Sequence, residues 1–373
     1  MLGAMTVDTL LATHSDSSLE VATSRGAEAL HALLPEWQRL AGAAAEPMQS
    51  PHWALAAARS LHAGAELVTL TVRRGGALVA MMTLAETRRG AVRWLVIPGA
   101  DALGEPLRPL IADAEARTAL CDALLGLRRP LSLPRIDDAE FAAQLRAAAR
   151  GRAGVFAMSG GASLIATLDG DQPGVLERCS PARQKVLRRN RRQLAHAGDI
   201  AFETLVPAPH EVAAALRAAF EVEARSWKGA AGSAVLARPA MFDFFRAYGE
   251  ACAAEGRLLV RLLKVGERVA AVGVAVIESG RSFDLKIGYD AAFARHSPGL
   301  TLTCEALADS ARRGLAAHEF LGFAEGWQRP FATRERNFTS LMIYPMNIAG
   351  STAFGFDAAG ALLRRTRRAL GIS

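Results

Sequence analysis

The chain has 373 residues, 51% of them hydrophobic, and 44 lysines and arginines against 37 acids, for a formal net charge of +7. That length exceeds what one hydrophobic core usually supports, so two domains are expected, and nothing in the composition suggests disorder. No stretch is long and apolar enough for a membrane span and the start lacks a basic-then-apolar leader, so the expectation is a cytoplasmic protein with no membrane span.

Residues through Asp16 lack periodicity and read as a frayed tail. After them, Leu67 to Val72 and Leu78 to Leu84 flank Arg73-Arg74-Gly75-Gly76, a hairpin signal, and Ala91 to Ile97 adds a third strand. The glycines at 151, 154, 160, 161 and 170 place a boundary near Asp171–Gly174. Arg183 to Leu194 is a strongly basic helix. Its positive charge comes almost wholly from arginine, since Lys185, Lys228, Lys264 and Lys286 are the lysines of the whole chain. Such a helix reads as a solvated face, or as a binder of an acidic donor or an RNA backbone; no aromatics interleave it for base stacking.

The second half repeats the meander as Leu258 to Lys264, Val269 to Ile277 and Ser282 to Tyr289. Gly76 matches Gly266 and Val79-Ala80 matches Val269-Ala270, so the layout implies two copies of one mixed α/β unit. In the second copy Ser297-Pro298-Gly299 opens a helix in which Leu300, Cys304, Leu307, Ala311 and Leu315 recur at helical spacing. Gly314 marks its end, and Glu319 to Phe323 is read as a strand. The first copy has only the Pro- and Gly-interrupted stretch Pro98 to Pro109 at that point, with no equivalent helix start.

Three constellations could carry chemistry. Arg295-His296-Ser297-Pro298-Gly299-Leu300-Thr301 offers a helix start with free backbone N–H groups and a partial positive charge, suited to a pyrophosphate; an ordinary N-cap has the same appearance. Strict alternation along Ser282 to Asp290 puts Phe283, Leu285, Ile287 and Tyr289 on one face and Asp284, Lys286 and Asp290 on the other, as a surface ion pair or an acceptor site. Glu223 and Trp227, four apart on a helix starting near His210, set a carboxylate beside an aromatic wall, unless the tryptophan is core. Cys121, Cys179, Cys252 and Cys304 show no CxxC spacing, so neither disulfides nor a metal site is expected. Walker, HExxH, GxSxG and GxGxxG patterns are missing.

In their order and spacing these residues resemble the BioF2-like or CelD-like branch of the GNAT acetyltransferases, relatives of the FemAB peptidyltransferases built from two tandem GNAT-like domains. The residues that carry the resemblance are Glu36-Trp37-Gln38-Arg39-Leu40, Ser50-Pro51-His52-Trp53, Gly75 to Ala80, Ser180 to Arg192, Ser226-Trp227-Lys228, Gly288-Tyr289-Asp290, Ser297-Pro298-Gly299 and Glu319 to Gly322. The resemblance implies an α+β mixed sheet in two tandem domains: a degenerate one over 17–172, an acyltransferase domain over 173–349, and a basic tail helix over 350–373. It also implies an acyl-CoA donor, typically acetyl-CoA, bound at residues 295–301. The acyl group passes to an amine of a small molecule, peptide or sugar by direct attack within a ternary complex. Glu223 and Asp284 are then base candidates, Tyr289 or His296 proton donors, and Trp227, Lys286, Trp327 and Arg329 substrate contacts. Relatives carry an aromatic-lysine pair where this chain has Trp327-Gln328, so the missing charge must come from Arg329 or be absent. That departure counts against a tRNA-dependent peptidyltransferase; a non-catalytic role in an envelope pathway is the remaining alternative.

Overall fold

The computed structural model describes residues 8–10, 18–42, 45–168, 177 and 179–369. Most of the aperiodic start and the boundary expected at Asp171–Gly174 therefore lie outside the described residues. In chain order the strands are β1 (Asp8–Leu10), β2 (Leu19–Arg25), β3 (Leu67–Arg74), β4 (Ala77–Arg89), β5 (Val92–Val96), β6 (Leu110–Ile111), β7 (Leu131–Ile136), β8 (Ala153–Thr167), β9 (Ile200–Leu205), β10 (Leu258–Val265), β11 (Arg268–Glu278), β12 (Arg281–Tyr289), β13 (Ala317–Glu319) and β14 (Arg334–Pro345). The helices are α1 (Ala27–Ala32), α2 (Leu34–Ala41), α3 (Pro51–Ser60), α4 (Ala100–Leu103), α5 (Ala114–Gly126), α6 (Ala139–Ala148), α7 (Pro181–Ala195), α8 (Val212–Ala224), α9 (Trp227–Ala230), α10 (Pro239–Ala254), α11 (Pro298–Arg312) and α12 (Ile348–Ala369).

The chain forms two compact units and passes between them four times: residues 1–42, 62–160 and 338–373 make the first, and 43–61 and 161–337 the second. A single crossing near residue 172 is the simpler sequence reading. The structure differs because α3 is held in the second unit, where Trp53 meets the rings of Phe244 and Tyr248 edge-on at 4.9 and 5.0 Å. Just before α3, the buried Glu46 accepts from Arg336 at 2.8 and 3.1 Å, and Arg336 also reaches Glu319.

Each unit is built on a three-strand antiparallel meander, β3-β4-β5 in the first and β10-β11-β12 in the second. The two hairpins correspond closely. Arg74 pairs with Ala77 around Gly75 and Gly76, and Val265 pairs with Arg268 around Gly266. Both Gly75 and Gly266 have positive φ, 55° and 57°, which a two-residue hairpin turn requires at its first position. Each second strand then carries one unpaired residue, Val79 between the partners of Arg73 and Val72, and Ala270 between those of Lys264 and Leu263. The register thus matches Gly75 to Gly266 and Val79 to Ala270, one residue away from the Gly76/Gly266 match suggested by sequence. A one-residue slip is invisible to composition because Val and Ala suit either position.

The correspondence extends beyond the meander, which the sequence reading did not anticipate. In the second unit β12 leads through α11 to β13, which runs parallel to β12; in the first, α5 packs on β3 and β4 and is followed by β7, parallel to β5. The first unit therefore has the equivalent helix, delayed by the one-turn α4 and by β6. Its start is chemically different. Asp113 caps α5 by accepting from Ala116 N at 2.9 Å and is held by Arg74 at 2.7 Å. The Arg74 bond, with the backbone donors, brings Asp113 down to about 2. A permanently anionic cap repels a phosphate, so the asymmetry between the units rests on the cap and not on a missing helix.

The first core joins Val68, Leu70, Val72 and Leu84 of the meander to Leu120 and Leu124 of α5 and Leu133 of β7. In the second unit α11 covers one face of the sheet and α8 the other: an added Cβ at Gly273 would meet Leu302 of α11, and one at Gly288 would meet Glu223 of α8. Because the Asp113 carboxyl lies lower folded than its ordinary 3.8, its contribution to stability is present above that value and lost as pH falls from 3.8 through about 2. Asp113→Asn, which keeps the capping oxygen, is expected to flatten that part of the acid-unfolding profile followed by circular dichroism.

Candidate active site

The site lies in the second unit and starts from a break in regularity on β12. Ala275 pairs with Asp284 and Val274 with Lys286, so Leu285 is an extra residue with no partner across the strand. A bulge reverses the facing of all that follows, and strict alternation fails here. Asp284 and Lys286 point to opposite faces, correcting the expected shared face. On the α11 side, Asp284 accepts from Arg261 at 3.1 Å and meets His318 Nε2 at 2.9 Å, while His318 Nδ1 lies 3.2 Å from Ser310 Oγ. Arg261, almost fully buried, also donates to Ser282 and Ser310. Burial alone would raise the Asp284 carboxyl, but the charges of His318 and Arg261 outweigh it and hold the group below its ordinary value. On the other face Lys286 Nζ stands 5.6 Å from the Phe245 ring of α10. Asp290 accepts from Arg225 and Arg268 and caps the turn at Ala292.

Beyond Phe283 no strand accompanies β12 on its outer side among the described residues, because β13 pairs with it over Arg281–Phe283 alone. That opening becomes a cleft of about 330 Å³ lined by Ser226, Trp227, Lys228, Ile287, Gly288, Tyr289, Ala294, Ser297, Pro298, Gly299, Leu300, Glu325 and Trp327. Along one wall α11 begins at Pro298, whose ring occupies a first-turn position that needs no N–H. Ser297 sits at φ 49°, ψ 56°, a left-handed conformation unusual for serine, and its side chain makes no cap bond. Its carbonyl takes the N–H groups of Leu300 and Thr301. Gly299 keeps the approach to the helix start open, since a Cβ there would stand 4.0 Å from the Tyr289 ring.

The opposite wall comes from the end of α8. The spacing of Glu223 and Trp227 suggests one continuous helix, but α8 ends at Ala224 and Ser226 caps the one-turn α9, accepting from Lys228 N at 3.2 Å. Glu223 and Trp227 consequently part: Glu223 is buried, while Trp227 is exposed at the cleft. Glu223 accepts from Lys228 Nζ at 2.9 Å and from Val235 N at 3.0 Å, so both its oxygens are engaged. The same Lys228 Nζ donates to Ile287 O at 2.8 Å, tying the cleft wall to the open edge of β12. The absence of a side chain at Gly288 permits this approach, because a Cβ would lie 2.7 Å from that of Glu223.

Of the residues singled out from sequence, the cleft gathers Trp227, Tyr289, Ser297, Pro298, Gly299, Leu300 and Trp327. Arg295 instead donates to His296 Nε2 at 2.9 Å, Thr301 is buried, and Arg329 pairs with Glu335 at 2.9 Å. Sequence reading missed Lys228 and Glu325. Gln328, standing where a lysine was expected, is buried, and its Oε1 accepts the Glu325 N–H at 2.8 Å, a role an ammonium cannot fill. The cation at the cleft is therefore Lys228, from a different element. The adjacent Glu325 carboxylate accepts from Trp327 Nε1 at 2.8 Å.

Residues 181–329 match the family model described as an acetyltransferase (GNAT) domain. The matched stretch runs from the start of the basic helix α7 to the Trp327 loop and includes the open strand β12 and the helix start beside it. A comparison with curated proteins finds no match. Among solved structures, FemX is similar at a TM-score of 0.54 and 11% identity, covering 81% of this chain and 93% of that one. A tandem GNAT protein from the clavulanic acid biosynthesis pathway is similar at 0.48 and 14% identity, covering 87% of this chain and 98% of its own. A GCN5-related N-acetyltransferase from Sphaerobacter thermophilus gives 0.40 and 13%, with coverages of 74% and 80%. The likeness to FemX, over 81% of this chain, is one of fold alone.

Lys228→Met would leave the Glu223 carboxylate buried without its cation and is expected to cost about 3 kcal/mol of stability in urea unfolding. Glu223→Gln in the same chain is expected to recover much of that loss; equal stability of the single variant and the parent would show that the pair does not hold the cleft wall.

Proposed function

We propose that the cleft binds an acyl-CoA, with acetyl-CoA the simplest case, and transfers its acyl group to an amine by direct attack. The observation that carries this reading is the meeting of the unaccompanied edge of β12 and the first turn of α11 at Tyr289 and Gly299. A helix start supplies a partial positive charge for the pyrophosphate, and an open strand edge can hydrogen-bond the amide arm of the donor. Basic helix α7 supports the same placement. It packs on α11 through the Arg191–Glu305 ion pair, and Arg183 keeps buried Nε and Nη2 atoms without partners.

In the ternary complex the amine nitrogen forms its bond to the acyl carbon as the carbon–sulfur bond breaks. The Glu325 carboxylate, in the cleft beside Trp327, accepts the amine proton; the Tyr289 hydroxyl supplies one to the leaving thiolate. Strand N–H groups near Gly288 steady the developing oxyanion. Glu223 and Asp284 are poor bases because their oxygens are already held by strong donors. We assign Trp227 and Trp327 to the walls that receive the acceptor. A peptide or sugar amine fits an aromatic-walled cleft open to solvent, and the cytoplasm, where CoA thioesters are made, is its place of action.

Gly299→Asp puts a carboxylate at the proposed pyrophosphate position and is expected to weaken acetyl-CoA binding by calorimetry at least about tenfold. Undiminished binding in that variant, or no acyl-CoA binding by the parent, would remove the reading. Glu325→Gln is expected to lower kcat by roughly a hundredfold with the donor KM unchanged, and a full-rate variant would take the base role away from Glu325.

A further inference from the structure

Helix α12, in the first unit, has two faces of opposite character. Gly350, Ala353, Asp357 and Gly360, spaced three and four apart, turn inward; Ala353 is buried and Asp357 accepts from the Tyr344 hydroxyl at 2.7 Å. Phe354 fastens one flank by stacking on Phe156 at 5.4 Å and meeting Tyr344 edge-on. These contacts settle which side faces the protein. On the opposite side lie Ile348, Phe356, Leu362 and Leu363, with exposures of 88, 59, 67 and 65%, and Ala359 between them; Met346, just before the helix, is 66% exposed. A helix of 22 residues thus offers solvent an apolar stripe about 22 Å long between Ile348 and Leu363, where a surface helix normally carries polar groups.

Charge says what covers the stripe. From Ala358 to the last residue the sequence contains Arg364, Arg365, Arg367 and Arg368 and no acid. By helical spacing Arg365 falls on a flank of the stripe, from which a guanidinium reaches phosphate while the stripe is immersed. A second copy packed parallel to the same helix would set these arginines against one another. Among the described residues no helix is long and apolar enough to cross a membrane, so α12 lies on a surface rather than through it.

We propose that α12 is an interfacial helix that docks the protein on an anionic lipid surface, with Ile348, Phe356, Leu362 and Leu363 immersed and the terminal arginines on lipid phosphates. The assignment is independent of the acyltransfer reading. Its consequence is a protein recruited to a membrane, where an amine acceptor carried by a lipid or an envelope precursor would be concentrated.

The test is flotation of the full-length protein with vesicles of phosphatidylcholine alone or with about a third phosphatidylglycerol, alongside light-scattering mass determination without vesicles. The expected result is flotation with the anionic vesicles only, weakened by raising salt from about 0.05 to about 0.5 M, which shortens the Debye length roughly threefold. Phe356→Ser/Leu362→Ser/Leu363→Ser is expected to reduce bound protein at least about tenfold while leaving the circular dichroism spectrum unchanged, since these side chains are mostly exposed. Failure to float, equal flotation with neutral vesicles, or a dimer that the triple variant turns into a monomer each overturns the proposal; the last would give the stripe to a second copy.

Discussion

The second unit is organised by a parting of strands. β12 keeps β13 beside it for three residues and then runs on without an outer neighbour. Leaving strand donors and acceptors unpaired within a fold is costly unless the parting is stabilised elsewhere. Here the stabilisation lies at the point of divergence, where Asp284 is clamped between Arg261 and His318 and the bulged Leu285 re-aims the strand. A network so nearly dry is strong only while every member is satisfied. Asp284 is thereby tied to β10 through Arg261 and to β13 through His318.

The opening is then furnished from three separate elements. α11 brings a helix start whose serine is held in a left-handed conformation, the short α9 brings Trp227 and Lys228, and the loop after β13 brings Glu325 and Trp327. Lys228 ties α9 to α8 through the buried Glu223 carboxylate and to β12 through the Ile287 carbonyl. Gln328 rigidifies the Glu325 loop from within, which accounts for an amide at a position where charge was expected.

Two units with the same meander, turn and bulge diverge at one helix cap. α11 starts on Ser297-Pro298 with its first turn at the cleft, whereas α5 starts on an aspartate fixed by arginine. The two helix starts therefore differ in their cap chemistry, a serine in one and an arginine-paired aspartate in the other. The first unit puts its distinctive surface into α12 instead.

Much of this was legible in the linear chain: both meanders, the helix opened by Ser297-Pro298-Gly299 and closed by Gly314, and the basic helix capped by Ser180 follow from turn glycines, capping residues and apolar period. Those signals are local, and local propensity is enough to place such elements. The strand expected over Glu319 to Phe323 instead ends at Glu319, where Leu321 and Gly322 take positive φ. Tertiary structure alone decided the facing of Asp284 and Lys286, the separation of Glu223 from Trp227, the pairing of Lys228 with Glu223, and the allegiance of α3. Each depends on a bulge, a helix break or a partner far along the chain. One inserted residue reverses a strand's faces without altering its composition, and a buried charge declares its partner only when the chain has folded around both.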